Sequence, residues 1–157
     1  MSLHLYLALK LVHILGATVL FGTGLGIAFF MWQAHRSGDP AAIAHTARTV
    51  VIADALFTAT AVLVQPLSGW ALMTVTGIAL DQFWIKAALA LYVFVGLCWL
   101  PVVWIQLKLR DLADAASRGG TPLPERYHFL IRVWFWLGWP AFAGVLAILV
   151  LMLWKPQ

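Results

Sequence analysis

Four long apolar runs constrain this chain more than any other feature. They cover about residues 3–34, 49–74, 82–107 and 129–154, and each exceeds the ~20 residues an α-helix needs to cross the hydrocarbon core of a bilayer. In that medium every main-chain N–H and C=O must be bonded inside the protein, and a helix achieves this within its own segment. The chain is 63% hydrophobic and 10% charged, whereas a soluble domain carries about 25% charged residues. A core built from 157 residues cannot hide that much apolar surface from water. The sequence therefore predicts an all-α polytopic membrane protein, a four-helix transmembrane bundle forming one domain over residues 1–157.

The connectors set the expected topology. The first, "HRSGDPAAIAHTAR", carries the turn signal Gly38-Asp39-Pro40 and two arginines, Arg36 and Arg48. The second, "VTGIALD", has no Lys or Arg. The third, "KLRDLADAASRGGTPLPERYH", has Lys108, Arg110, Arg118 and Arg126. Its first half is predicted to continue the third helix past the membrane to about Ala116, breaking at Gly119-Gly120. The positive-inside rule puts the first and third connectors in the cytoplasm and both termini outside, in a bacterial inner membrane. The formal net charge of +4 comes from basic residues that flank apolar runs, so the expected partner is a lipid bilayer and not nucleic acid. Several of the nine tryptophans, among them Trp32, Trp70, Trp84 and Trp154, fall near the expected interfaces. The first run is not read as a cleaved signal, because no basic residue precedes it and it far exceeds a signal core. The single cysteine, Cys98, excludes an intrachain disulfide and reads as a buried small hydrophobe.

Ionisable and polar residues inside the runs are costly and mark candidate sites. Lys10, His13, Gln65 and Lys86 fall in the outer half; Asp54 and Arg132 fall in the inner half. His13 is the only histidine at membrane depth. Gly16 and Ala17 follow at i+3 and i+4 on the same helix face, and Lys10 sits one turn outward. This pattern suits a haem: a ligating His13, small residues against which a flat macrocycle lies, and lysines for its propionates. Gln65 is the expected hydrogen-bond partner of the His13 ring. The competing readings are a packing histidine, snorkelling lysines and a Gly22/Gly26 spacing that serves helix packing alone. Asp54 and Arg132 are expected to form a structural ion pair across the second and fourth helices. Pro66, Pro101 and Pro140 are expected to kink their helices.

Nearly the whole chain resembles the bacterial integral-membrane family of domain of unknown function 2269. It is also similar to the HemJ-type protoporphyrinogen oxidases and, more distantly, to the membrane domain of copper-resistance protein D. The HemJ-type pattern opens with Lys-x-x-His, here Lys10 to His13, and has a histidine at the end of that helix, here His35. "FWIKAALAL" supplies its Trp and Lys, Trp84 and Lys86. "RVWFWLGWPAFAGVLAILVLMLWKP" supplies Arg132, Pro140, Lys155 and Pro156. The resemblance implies a membrane haem b protein with His13 as an iron ligand, working in electron transfer or haem and porphyrin handling, and leaves open whether it is a haem-dependent oxidoreductase. Quinol or porphyrin would be its small-molecule partner. Met73, Lys86, water or a second subunit in a homodimer would complete the iron. The chain departs from the HemJ pattern in "LYVFVGLCWLPVV", which lacks histidine, and in "LGWP", where that group has Asn-Glu before the proline. These departures bear on porphyrinogen oxidation more than on fold or haem. The alternatives are a HemJ-like oxidase, and a transporter subunit or structural membrane protein without cofactor.

The topology is directly testable. A reporter fused after Gln157 should be active in the periplasm; strong cytoplasmic activity of that fusion would reverse the assignment.

Overall fold

The computed structural model describes residues 3–156, and every regular element among them is helical. Four helices are long and apolar enough to cross a membrane: α1 (Leu3–Ser37), α2 (Pro40–Thr76), α3 (Phe83–Gly119) and α4 (Glu125–Trp154). At most 22% of the most apolar window of any helix is buried within the chain. The exposed remainder is Leu, Phe, Val and Trp on all sides, so lipid must provide the missing contact.

Local signals set the helix ends. Asp39 caps α2, its carboxylate accepting from Ala41 N at 2.9 Å and Ala42 N at 3.4 Å, with Pro40 in the first turn where its missing N–H costs nothing. The helix therefore starts well before the apolar run at Thr49. Its early turns carry the polar His45, Thr46 and Arg48 outward and a buried stripe of Ile43, Ala44, Ala47 and Val50 inward. The long α3 does run past the apolar segment and stops at Gly120, whose φ of +60° suits glycine and whose N–H closes on Ala116 and Ser117.

Five residues within α2, Asp54–Thr58, form a π-helical turn. Such turns are rare and widen the helix by one residue. About two turns later comes Pro66, which cannot donate to the carbonyl of Val62. Tyr92 of α3 supplies the missing donor: its hydroxyl bonds Val62 O. The proline thus leaves no orphaned acceptor, and the replacement bond ties α2 to α3.

The helices pack as two pairs. The second half of α2 lies along α1, and α4 lies along α3. The first half of α2 joins the pairs by packing on α3. The apolar core sits at the end that carries the first and third connectors, where Met31, Ile43, Leu109, Tyr127 and Ile131 are almost wholly buried. Trp32 and Phe135 join α1 to α4 there, with ring centroids 5.0 Å apart. At the same end Asp114 accepts from Arg48 at 3.5 Å and Arg118 at 2.9 Å. Both pairs are largely exposed; Arg48–Asp114 orients α2 on α3 more than it stabilises it, and Arg118–Asp114 lies within α3.

The bond from Tyr92 to Val62 gives a test by double-mutant cycle. Tyr92→Phe should cost about 1–3 kcal/mol, the range for a buried acceptor left without a donor. In a Pro66→Ala background, where residue 66 regains its N–H, the same change should cost clearly less. Equal costs in both backgrounds, measured by unfolding in detergent, would show that the hydroxyl does not stand in for the proline.

Candidate functional site

The α1–α2 seam is built around His13. Buried Ser68 and Gln65 lie three residues apart on one face of α2 and both meet it. The Ser68 oxygen lies 2.8 Å from His13 Nδ1, 2.7 Å from Val64 O and 3.2 Å from Gln65 O. A hydroxyl has one proton; when it goes to a carbonyl of its own helix, the oxygen accepts from His13 Nδ1–H and the ring takes the tautomer whose Nε2 lone pair is free.

Gln65 also reaches His13, but at the main chain: its Nε2 donates to His13 O at 2.8 Å. The Gln65 side chain thus bonds the His13 main chain while its own main chain lies by the ring, and the side chain that meets the ring is Ser68. Sequence reasoning missed Ser68 because a serine in an apolar helix ordinarily bonds a carbonyl one turn back, and this one does. Its place three residues after Gln65 was the available signal.

Gly16 plays a different part from the one its spacing suggested. A Cβ there would lie 2.6 Å from Gln65 Nε2, so the space beside Gly16 holds the glutamine amide and not a macrocycle. Ala17, next on the same helix, is half-buried. Across the seam, a Cβ on Gly69 would come within 3.3 Å of His13 Cε1. Two glycines, one on each helix, let the histidine and glutamine interlock.

The lysines are dispersed. Lys10 is exposed one turn outward from His13, its Nζ 5.6 Å from the Tyr6 ring centroid. Lys86 is exposed on α3, which packs on α4 and on α2 but not along α1, so the structure does not bring it to His13. At that end Lys155 sits 5.5 Å from the Trp84 ring centroid and ties the end of α4 to the start of α3. Met73 is one turn beyond Gly69 and lines a shallow hollow of about 290 Å³ with Trp70 and Thr74.

Asp54 and Arg132 do not pair. Among the described residues neither belongs to any salt bridge. Asp54 faces Trp99 and Gln106 of α3, because α2 lies along α3 and not along α4. Arg132 is exposed, and its Nε donates to His128 O at 3.2 Å in its own helix. The two residues point to different neighbours.

A second polar group closes the end with the long connectors. His35 Nδ1 and the Tyr127 hydroxyl are 3.3 Å apart, and the His35 and His128 rings are 6.3 Å apart. His35 and His128 border an open groove of about 590 Å³ that also takes in Asp39, Ser117 and Thr121. No cluster of three or more His, Cys, Asp or Glu able to hold a metal ion occurs among the described residues.

A haem would need a ligating atom, cations and a slot. The free Nε2 of His13 fits the first and the exposed Lys10 the second. The slot is not at Gly16, where Gln65 stands.

Four apolar helices with a few interlocked polar side chains between them define a multi-pass integral membrane protein of α-helical type. Residues 7–156 match the family described as predicted integral membrane protein, DUF2269, and the chain belongs to that family. No curated protein and no solved structure matches it.

The interlock predicts strong size limits at the seam. Gly16→Leu should expel the Gln65 amide and Gly69→Val should press on the His13 ring, each lowering the unfolding midpoint by more than Gly22→Leu, whose site has nothing within 4 Å. Equal tolerance at all three glycines in a thermal melt would refute the interlock.

Proposed function

We propose that this protein binds a b-type haem in the bacterial cytoplasmic membrane, with His13 Nε2 as an axial iron ligand. The observation that supports this reading is the 2.8 Å contact between His13 Nδ1 and the Ser68 hydroxyl. Ligating histidines usually donate their other ring nitrogen to a fixed acceptor, which sets the tautomer and holds the ring. Here the acceptor is on a neighbouring helix and is itself fixed by Val64 O. The Lys-x-x-His resemblance to HemJ-type proteins supports the same assignment by analogy.

The chain's own residues would do three things. His13 would hold the iron through Nε2. Ser68, with Gln65 on the His13 carbonyl, would keep the ring from turning. Lys10, exposed one turn outward, would meet a propionate. Bound haem would supply one-electron chemistry, suited to electron transfer with a quinol or to porphyrin handling. The iron's second axial position would be open to a small ligand, to Met73 or to a second copy of the chain.

One observation favours a cofactor-free membrane protein instead. His13, Gln65, Gly16 and Gly69 already fill one another's space, as packing residues do. In that reading His13 is a structural hydrogen-bond donor and nothing more.

Absorption spectra of protein made in haem-replete cells separate the two. The haem reading expects a Soret band in the wild type, its loss in His13→Ala, and about 10–100-fold weaker haem affinity in Ser68→Ala. A colourless wild type would leave the cofactor-free reading standing, and a His13→Ala variant with an unshifted haem spectrum would remove His13 as the ligand.

A further inference from the structure

The π-helical turn of α2 carries a polar group that the haem reading does not use. Asp54 opens the turn and Thr58 closes it, and both are more than nine-tenths buried. Gln106 and Trp99 of α3 face them, and Gln106 is only 2% exposed. Thr58, Trp99 and Gln106 surround the Asp54 carboxylate as its hydrogen-bonding neighbours, yet Thr58 Oγ1, Gln106 Oε1 and Trp99 Nε1 are buried without a bond of good geometry. Buried polar atoms are ordinarily satisfied in good geometry, so three loosely held side chains around one carboxylate need an explanation.

Charge sharpens the problem. Among the described residues Asp54 has no salt-bridge partner. On α1, no residue from Ile14 to Ala34 is ionisable. On α3, only Tyr92 and Cys98 titrate between Ala87 and Leu107, and the Tyr92 hydroxyl is committed to Val62 O. On α2 itself the nearest cation, Arg48, is nearly two turns away and pairs with Asp114. A bare carboxylate in an apolar interior is far too costly to persist, so something mobile must neutralise it.

The donor set says what. A carboxylate, a hydroxyl and an amide carbonyl are oxygen ligands, which hard cations prefer. One carboxylate carries one negative charge, so a monovalent cation balances it and a divalent one leaves a buried surplus. The Trp99 N–H also faces the carboxylate and can donate to it. π-helical turns recur at functional sites because the extra residue re-aims side chains; here the turn buries Asp54 and Thr58 together.

We propose that Asp54, Thr58 and Gln106 form a site for one monovalent cation, a sodium ion or a proton, inside the membrane span. The site is separate from His13: Thr58 lies about two turns before Gln65 on α2, and although the π turn itself packs on α1, the Asp54 carboxylate meets Trp99 and Gln106 of α3.

The test uses the purified full-length protein. Its thermal midpoint is followed as NaCl replaces choline chloride at constant ionic strength, and its infrared spectrum is recorded at neutral pH. A saturable, sodium-specific rise that Asp54→Asn abolishes and Gln106→Leu weakens several-fold supports the site with sodium as the occupant. A protonated-carboxyl band present in the wild type and in Gln106→Leu, but missing from Asp54→Asn, with no sodium-specific rise, supports it with a proton. Asn is a neutral isostere and should fold; Thr58→Val and Gln106→Leu keep the carboxylate and give the same reading if it does not. An ionised carboxylate at position 54 with no sodium response overturns the proposal.

Discussion

In hydrocarbon a polar group without a partner costs several kcal/mol, and the internal order of this protein depends on meeting that demand. The main chain meets it by being helical almost throughout. Where a proline breaks the ladder, a tyrosine from the next helix takes over the freed carbonyl. Where a histidine enters the span, a serine and a glutamine from the facing helix take up its ring and its carbonyl. The hydrophobic effect gives helices no reason to associate once they are in lipid, so these few bonds and the close fit of small residues carry the specificity.

The same logic explains the uneven packing. The apolar core at the end with the long connectors gathers large side chains from all four helices. Toward the other end, small and polar residues such as Gly16, Ala61, Gln65, Ser68, Ala88 and Gly144 do most of the packing, within pairs of helices. The functional candidates lie in this second kind of contact, where a side chain can be held by directed bonds without being sealed by bulk.

Much of the fold was legible because span length and charge are coarse signals that lipid enforces strictly. The four helices and the overrun of α3 to Gly120 follow from apolar runs, connector charge and a glycine stop. The early start of α2 was hidden by its polar first turns, although Asp39-Pro40 is a strong cap. The site was legible only in part. Position along a helix fixes depth but not direction, and so Asp54 and Arg132 could be placed at similar height yet wrongly joined. The π turn left no mark in residue pattern, since such a turn arises from how α2 packs on its neighbours, α1 among them. Ser68 was hidden by its ordinary bond to Val64, which is also what makes it an acceptor for His13.

The fit of the Gln65 amide into the space beside Gly16 has an evolutionary consequence. Two positions that share one volume cannot vary independently. A relative with Ala or Ser at position 16 has to shorten the residue at position 65 or shift α1 along α2, and either change withdraws the bond to the carbonyl of residue 13. Positions 16 and 65 should therefore drift as a unit, and position 69 should stay small for as long as position 13 is histidine.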